Sequence, residues 1–145
     1  MINAIDHLVL TVRDIDASVA FYTRVLGMRH VVFGEGRHAL VFGDQKINLH
    51  PAGREYMPAA ARPTPGAADV CLLCAGPLEV VIDHLKFEGI HQVEKVVVRA
   101  GARGRIRSIY IRDPDGNLLE LSSYVDHPGP QVAQPAFKGR VSNPR

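Results

Sequence analysis

A chain of 145 residues places His7, Asn48, His50, Asp69 and Glu120 inside short apolar runs that read as β-strands. Histidine with carboxylate is a usual ligand set for a first-row divalent metal, and a carboxylate left off the metal can carry a proton. Strand parity decides whether these groups can meet, because alternate residues share a face. Leu8, Leu10 and Val12 form the apolar side of the first strand, which leaves His7 and Thr11 on the other. Ile47 and Leu49 likewise oppose Asn48 and His50, Val70 and Leu72 oppose Asp69 and Cys71, and Leu119 and Leu121 oppose Glu120 and Ser122. Four strands thus offer polar groups to one interior surface, and a metal site competes there with a merely structural role for each histidine. Cys71 and Cys74 stand in a C-x-x-C spacing, but three residues along a strand they point to opposite faces. They are expected to be buried, inert thiols. Arg99, Arg103, Arg105, Arg107 and Arg112 form either a solvated edge or a cradle for an anionic group on a small ligand. His30, His38, His84, His91 and His127 are expected at the surface.

The elements that must position these groups repeat. A strand over 6–12 leads to a helix begun at Asp14, with Ile15, Val19, Tyr22 and Leu26 at helical spacing and Gly27 as its stop. Strands over 28–34, 37–42 and 45–50 follow, separated by Gly-rich turns. Residues 51–66, rich in proline, form a linker. The order then recurs: a strand over 68–74, a helix after Pro77 ending at Gly89, and strands over 93–98, 106–111 and 117–123. Asp113-Pro-Asp-Gly is a turn in which Pro presets φ and Gly takes the left-handed position. Each module reads β-α-β-β-β, about 3–50 and 67–124, within one domain over 1–125. The expected class is α+β, with two paired modules whose curved mixed sheets flank a cleft. Residues 126–145 are expected to be an extended tail.

Composition is that of a globular protein, 46% hydrophobic and 22% charged, which excludes a disordered or collagen-like chain. Apolar runs are too short to span a membrane. A net charge of +2 without interleaved aromatics gives no support to nucleic-acid binding. The start of the chain lacks the pattern of a secretory signal, so a cytoplasmic protein is expected.

The segments from Asp6 to Val12, Phe21 to Met28 and Arg112 to Leu121 resemble the vicinal-oxygen-chelate superfamily, which includes glyoxalase I, methylmalonyl-CoA epimerase, extradiol dioxygenases and fosfomycin- and bleomycin-resistance proteins. The segments 42–50, 65–72 and 104–113 are similar to the glyoxalase domain-containing protein 5 group. The resemblance implies metal ligands at His7 and Glu120, with Asn48 at the fourth-strand position and Asp69 at the fifth. His50, on the same face as Asn48, is the alternative. It further implies a divalent ion such as Zn, Ni, Mn or Fe, a small-molecule substrate and a homodimer whose modules pair within one chain or between two. Glu120 and Asp69 would share the roles of ligand and base, and Asn48, Tyr110 and Arg112 would touch substrate. The implied activity is that of a lyase or isomerase on a small α-oxygenated, anionic compound. Alternatives are a resistance-type ligand-binding module and an extradiol-type dioxygenase.

Overall fold

The computed structural model describes residues 1–125; the expected tail lies outside the described residues. The element order is β1 (His7–Val12), α1 (Ile15–Arg24), β2 (Arg29–Phe33), β3 (Arg37–Phe42), β4 (Gln45–Pro51), β5 (Asp69–Leu73), α2 (Leu78–Phe87), β6 (Val97–Gly101), β7 (Gly104–Arg112) and β8 (Leu118–Tyr124). The expected duplication is present. The strands form two four-stranded sheets, ordered β1-β4-β3-β2 and β5-β8-β7-β6. Each is mixed: β1 runs parallel to β4 and β5 to β8, and the remaining pairs are antiparallel.

Local chemistry fixes the helix ends. The Asp14 carboxylate accepts the Ala17 N–H at 3.0 Å and caps α1, satisfying a donor that has no partner within the helix. Gly27 then turns the chain out at φ 67°. The apolar parity of the strands does the rest. Leu10, Val12, Ile47 and Leu49 of one sheet and Ile109, Ile111, Leu119 and Leu121 of the other join Tyr22 and Leu85 in a single buried cluster. Each fully buried side chain of this kind contributes roughly 1.5–3 kcal/mol. Both sheets therefore turn their helix-bearing faces to a common core.

Polar ties lock the modules together. The Tyr22 hydroxyl donates to Asp113 Oδ2 at 2.8 Å, and the Arg13 N–H donates to Asp115 Oδ1 at 3.0 Å. At the far end of α1, Arg24 pairs with Glu88 at 3.0 Å.

Three expectations need correction. The strand expected over 93–98 is β6, Val97–Gly101, because the tight Gly101–Gly104 hairpin sets its pairing with β7. Val93 makes only a separate bond, donating its N–H to the Tyr110 carbonyl at 2.8 Å. Cys71 is not buried but exposed, since the face it occupies carries no helix; Cys74 is half-buried. The expected surface pair His30 and His38 is half-buried, with Nε2 of one 2.9 Å from Nδ1 of the other.

Candidate active site

The helix-free face of the first sheet carries every polar group that parity assigned to it. His7 lies level with Lys46, Val9 with Asn48, and Thr11 with His50. His7 Nδ1 sits 2.6 Å from Asp6 Oδ1. A carboxylate on one ring nitrogen leaves the other available as a ligand, an arrangement common to metal-binding histidines. Asn48 presents a buried Oδ1 with no hydrogen-bond partner among the described residues. Such an acceptor costs about 1–3 kcal/mol unless something donates or coordinates to it. His50 is 9% exposed. Tyr56, from the segment after β4, packs edge-to-face on its ring at 5.2 Å between centroids. Burial, and then the Arg37 charge, hold the His50 pKa below the ordinary value, against an opposing pull from Glu55. The ring is neutral at physiological pH.

On the second sheet Glu120 lies between Cys71 of β5 and Tyr110 of β7. The Ser108 hydroxyl donates to Glu120 Oε1 at 2.5 Å, and that of Ser122 reaches the same oxygen at 3.4 Å. Both serines are wholly buried, and their own oxygens are 2.8 Å apart. One carboxylate oxygen is thus anchored from behind. Glu120, Cys71 and Arg99 border a cavity of about 460 Å³. Cys71 Sγ lies 3.3 Å from Ser122 Oγ. Burial raises the thiol pKa, and the charges of Glu120 and Asp69 add to the rise despite the Ser122 bond. Asp69 is exposed on the same face, level with Leu118 and, across β8, with Arg112.

The structure gathers Asp69, Glu120 and Tyr110 on one sheet face, and His7, Asn48 and His50 on the other sheet's equivalent face. It does not join the two sets within one chain: among the described residues no three His, Cys, Asp or Glu side chains converge so as to hold a metal. The groups that could hold a divalent ion are the His7 ring, the unpartnered amide oxygen of Asn48 and the anchored carboxylate of Glu120.

The arginine run is largely engaged elsewhere. Arg107 pairs with Glu79 at 2.7 Å, and Arg99 pairs with Glu94 at 2.9 Å while donating from Nε to the Tyr110 hydroxyl at 3.2 Å. Arg112 donates to the Gly116 carbonyl at 3.0 Å. Sequence reasoning missed Ser108 as the anchor of Glu120, although its parity on β7 matches that of Tyr110. It also missed Tyr56, for which the proline-rich segment carries no periodic signal.

The family model of the glyoxalase/bleomycin resistance protein/dioxygenase superfamily matches residues 4–121. The virulence protein STM3117 of Salmonella typhimurium is 54% identical over 125 residues, covering 86% of this chain and 87% of that protein. Its crystal structure superposes with a TM-score of 0.85 over 86% of this chain and 99% of that one. The glyoxalase domain-containing protein RDO1 of Mycosarcoma maydis is 52% identical over 125 residues, 86% of this chain and 70% of that protein. An integron cassette protein from the mobile metagenome of V. cholerae, VCH_CASS1, is 49% identical with a TM-score of 0.84, over 86% of this chain and 98% of that one.

Proposed function

Because the chain belongs to the glyoxalase/bleomycin resistance protein/dioxygenase superfamily, we propose that it is a divalent-metal-dependent lyase or isomerase acting on a small α-oxygenated substrate. The observation that carries this reading is Glu120, fixed by Ser108 at 2.5 Å on one oxygen and bordering a cavity. A carboxylate oriented so tightly on a strand that also presents an open face suits a ligand or base better than a structural acid.

Two copies complete the site in this reading. His7 and Asn48 of one copy, with His50 as the alternative to Asn48, meet Asp69 and Glu120 of the other, and the protein is a cytoplasmic homodimer. Pairing of the two half-sites explains why neither sheet face alone holds enough donors. The bound ion, which could be Zn, Ni, Mn or Fe, would act as a Lewis acid on the substrate's carbonyl or enolate oxygen. The chain's own residues do the rest. Asp6 holds His7 in one tautomer, and Ser108 and Ser122 hold Glu120. Asp69, exposed and without a side-chain hydrogen bond or ion pair among the described residues, moves the proton between carbon and oxygen, while Tyr110 and Arg112 flank the substrate. The closer kinship we propose is with the glyoxalase domain-containing protein 5 group.

A ligand-sequestering module is the second reading, and Asn48 favours it because an amide oxygen is a weak donor to transition metals. One set of measurements separates the two. Metal content after chelator-free purification is compared among wild type, His7→Ala and Glu120→Ala, together with metal-dependent hemithioacetal isomerisation and acyl-CoA epimerisation. Loss of metal in both variants and turnover that needs added metal are expected. Equal metal in all three proteins overturns the metal site, and ligand binding indifferent to metal and to Glu120→Gln transfers the assignment to the binding module.

A further inference from the structure

The helix-free face of the first sheet is basic at the level beyond Asn48. His50 lies level with Thr11, and Arg37, adjacent to the His38–Leu49 pair, lies level with His50. Arg37 is exposed, and its guanidinium carbon stands 4.6 Å from the centroid of the Tyr56 ring. Tyr56 in turn packs edge-to-face on His50. Guanidinium, phenol and imidazole thus form one contiguous cluster, with the guanidinium over the phenol ring and the phenol edge-on to the imidazole. Among the described residues no carboxylate lies within ion-pair distance of Arg37. The nearby acid, Glu55, accepts the Gly53 N–H at 2.9 Å. The arginines at 99, 107 and 112, by contrast, are paired or bonded to backbone. A guanidinium held over an aromatic ring by a cation–π contact is pre-positioned and loses less rotamer entropy when an oxyanion docks. The His50 ring, edge-on to Tyr56, adds a hydrogen-bonding group beside the guanidinium.

We infer that Arg37, held over the Tyr56 ring and flanked by His50, is the subsite for a second, distal anion of the substrate. This inference rests on the proposed chelation at the level of His7 and Asn48. Asn48 and His50 are two residues apart on β4, so the levels are separated by about 7 Å. The substrate is therefore a small α-oxygenated acid carrying a carboxylate or phosphate about four to six bonds from its chelating oxygens, given bond lengths near 1.5 Å.

The probes are pyruvate, 2-oxoglutarate and 2-oxoadipate, titrated calorimetrically into the full chain with and without Mn²⁺ at fixed ionic strength. The two dicarboxylates are expected to bind at least tenfold more tightly than pyruvate. Arg37→Met should abolish that preference and leave pyruvate binding unchanged. Tyr56→Leu, which keeps the charge but frees the guanidinium, should retain part of it. Arg29→Met, the same charge change on exposed β2, should leave it intact. Circular dichroism confirms that each variant is folded. Equal affinity for all three acids, an unchanged preference in Arg37→Met, or no binding by any acid overturns the subsite. Metal-independent binding that still depends on chain length and Arg37 supports the subsite while removing the proposed chelation. Metal-dependent binding without either dependence does the reverse.

Discussion

Tyr22→Phe tests how the two modules are fastened. The Tyr22 side chain is fully buried, and its hydroxyl donates to Asp113 Oδ2 at 2.8 Å. The same carboxylate accepts the backbone N–H groups of Asp115 and Asn117, each at 2.9 Å, and the Asn117 side-chain amide at 2.8 Å. Asn117 passes the tie onward by accepting the Ala68 N–H at 2.9 Å. Removing the hydroxyl deletes one hydrogen bond to a buried charged acceptor and leaves three, so the expected loss is about 2 kcal/mol. Urea denaturation at pH 8 reads it as a lower midpoint with unchanged slope. The pH dependence supplies an independent sign. Burial, and then the Asp113 charge, push the Tyr22 pKa far above its ordinary value. The folded protein keeps this proton at a pH where the unfolded chain releases it. The stability linked to Tyr22 is thus complete below about pH 10 and falls by about 1.4 kcal/mol per pH unit above it. The phenylalanine side chain of the variant has no proton to lose, so the gap between the two proteins should close at about pH 11.5. A variant within about 0.5 kcal/mol of wild type at pH 8, the scale of inert substitutions, or a gap constant up to that higher pH, refutes the reasoning.

Ser108→Ala should weaken Ni²⁺ or Mn²⁺ binding about tenfold in calorimetric titration, since one charge-assisted bond of about 1.4 kcal/mol no longer orients Glu120. Unchanged affinity would separate Glu120 from the metal. Gly66→Ala should cost more than about 2 kcal/mol in thermal unfolding, the sum of backbone strain and overpacking. Gly66 sits at φ +81°, and an added Cβ would lie 2.5 Å from the Asp115 carbonyl oxygen.

Where a strand period of two was the only rule required, the sequence was legible. His7, Asn48, His50, Asp69 and Glu120 each occupy the face that parity predicts, because the opposite face must enter the common core. The β-α-β-β-β repeat was legible for the same reason, helped by glycine stops at 27 and 89. The start of β6 was not, because the valines at 96–98 suit a strand that begins earlier equally well, and the Gly101–Gly104 hairpin decides the register. The expected burial of Cys71 failed because side-chain type says nothing about whether a helix covers the face.

What parity could not reach is the relation between the faces. Among the described residues neither helix-free face gathers three metal-ligating side chains, and the packing of the core separates the two faces. Leu10, Val12, Leu119 and Leu121 are wanted by the same hydrophobic cluster. A chain that packs both helix-bearing faces inward turns the opposite faces, with their polar groups, away from each other. The Asn48 oxygen and the Arg37 guanidinium, neither with a polar partner among the described residues, stand on one face, and the anchored Glu120 with exposed Asp69 on the other. The first offers Arg37, Lys46 and a lone acceptor, the second offers Asp69 and Glu120 with Arg99 and Arg112 already bonded within it. Electrostatic complementarity of that kind favours correct docking of two faces and penalises like against like. Charge reversal therefore tests the proposed assembly when it is read by sedimentation rather than by turnover. Asp69→Lys should weaken self-association in sedimentation at low salt, and Lys46→Glu in the same chain should restore it. Identical sedimentation of wild type and Asp69→Lys would leave the two half-sites without an electrostatic reason to meet.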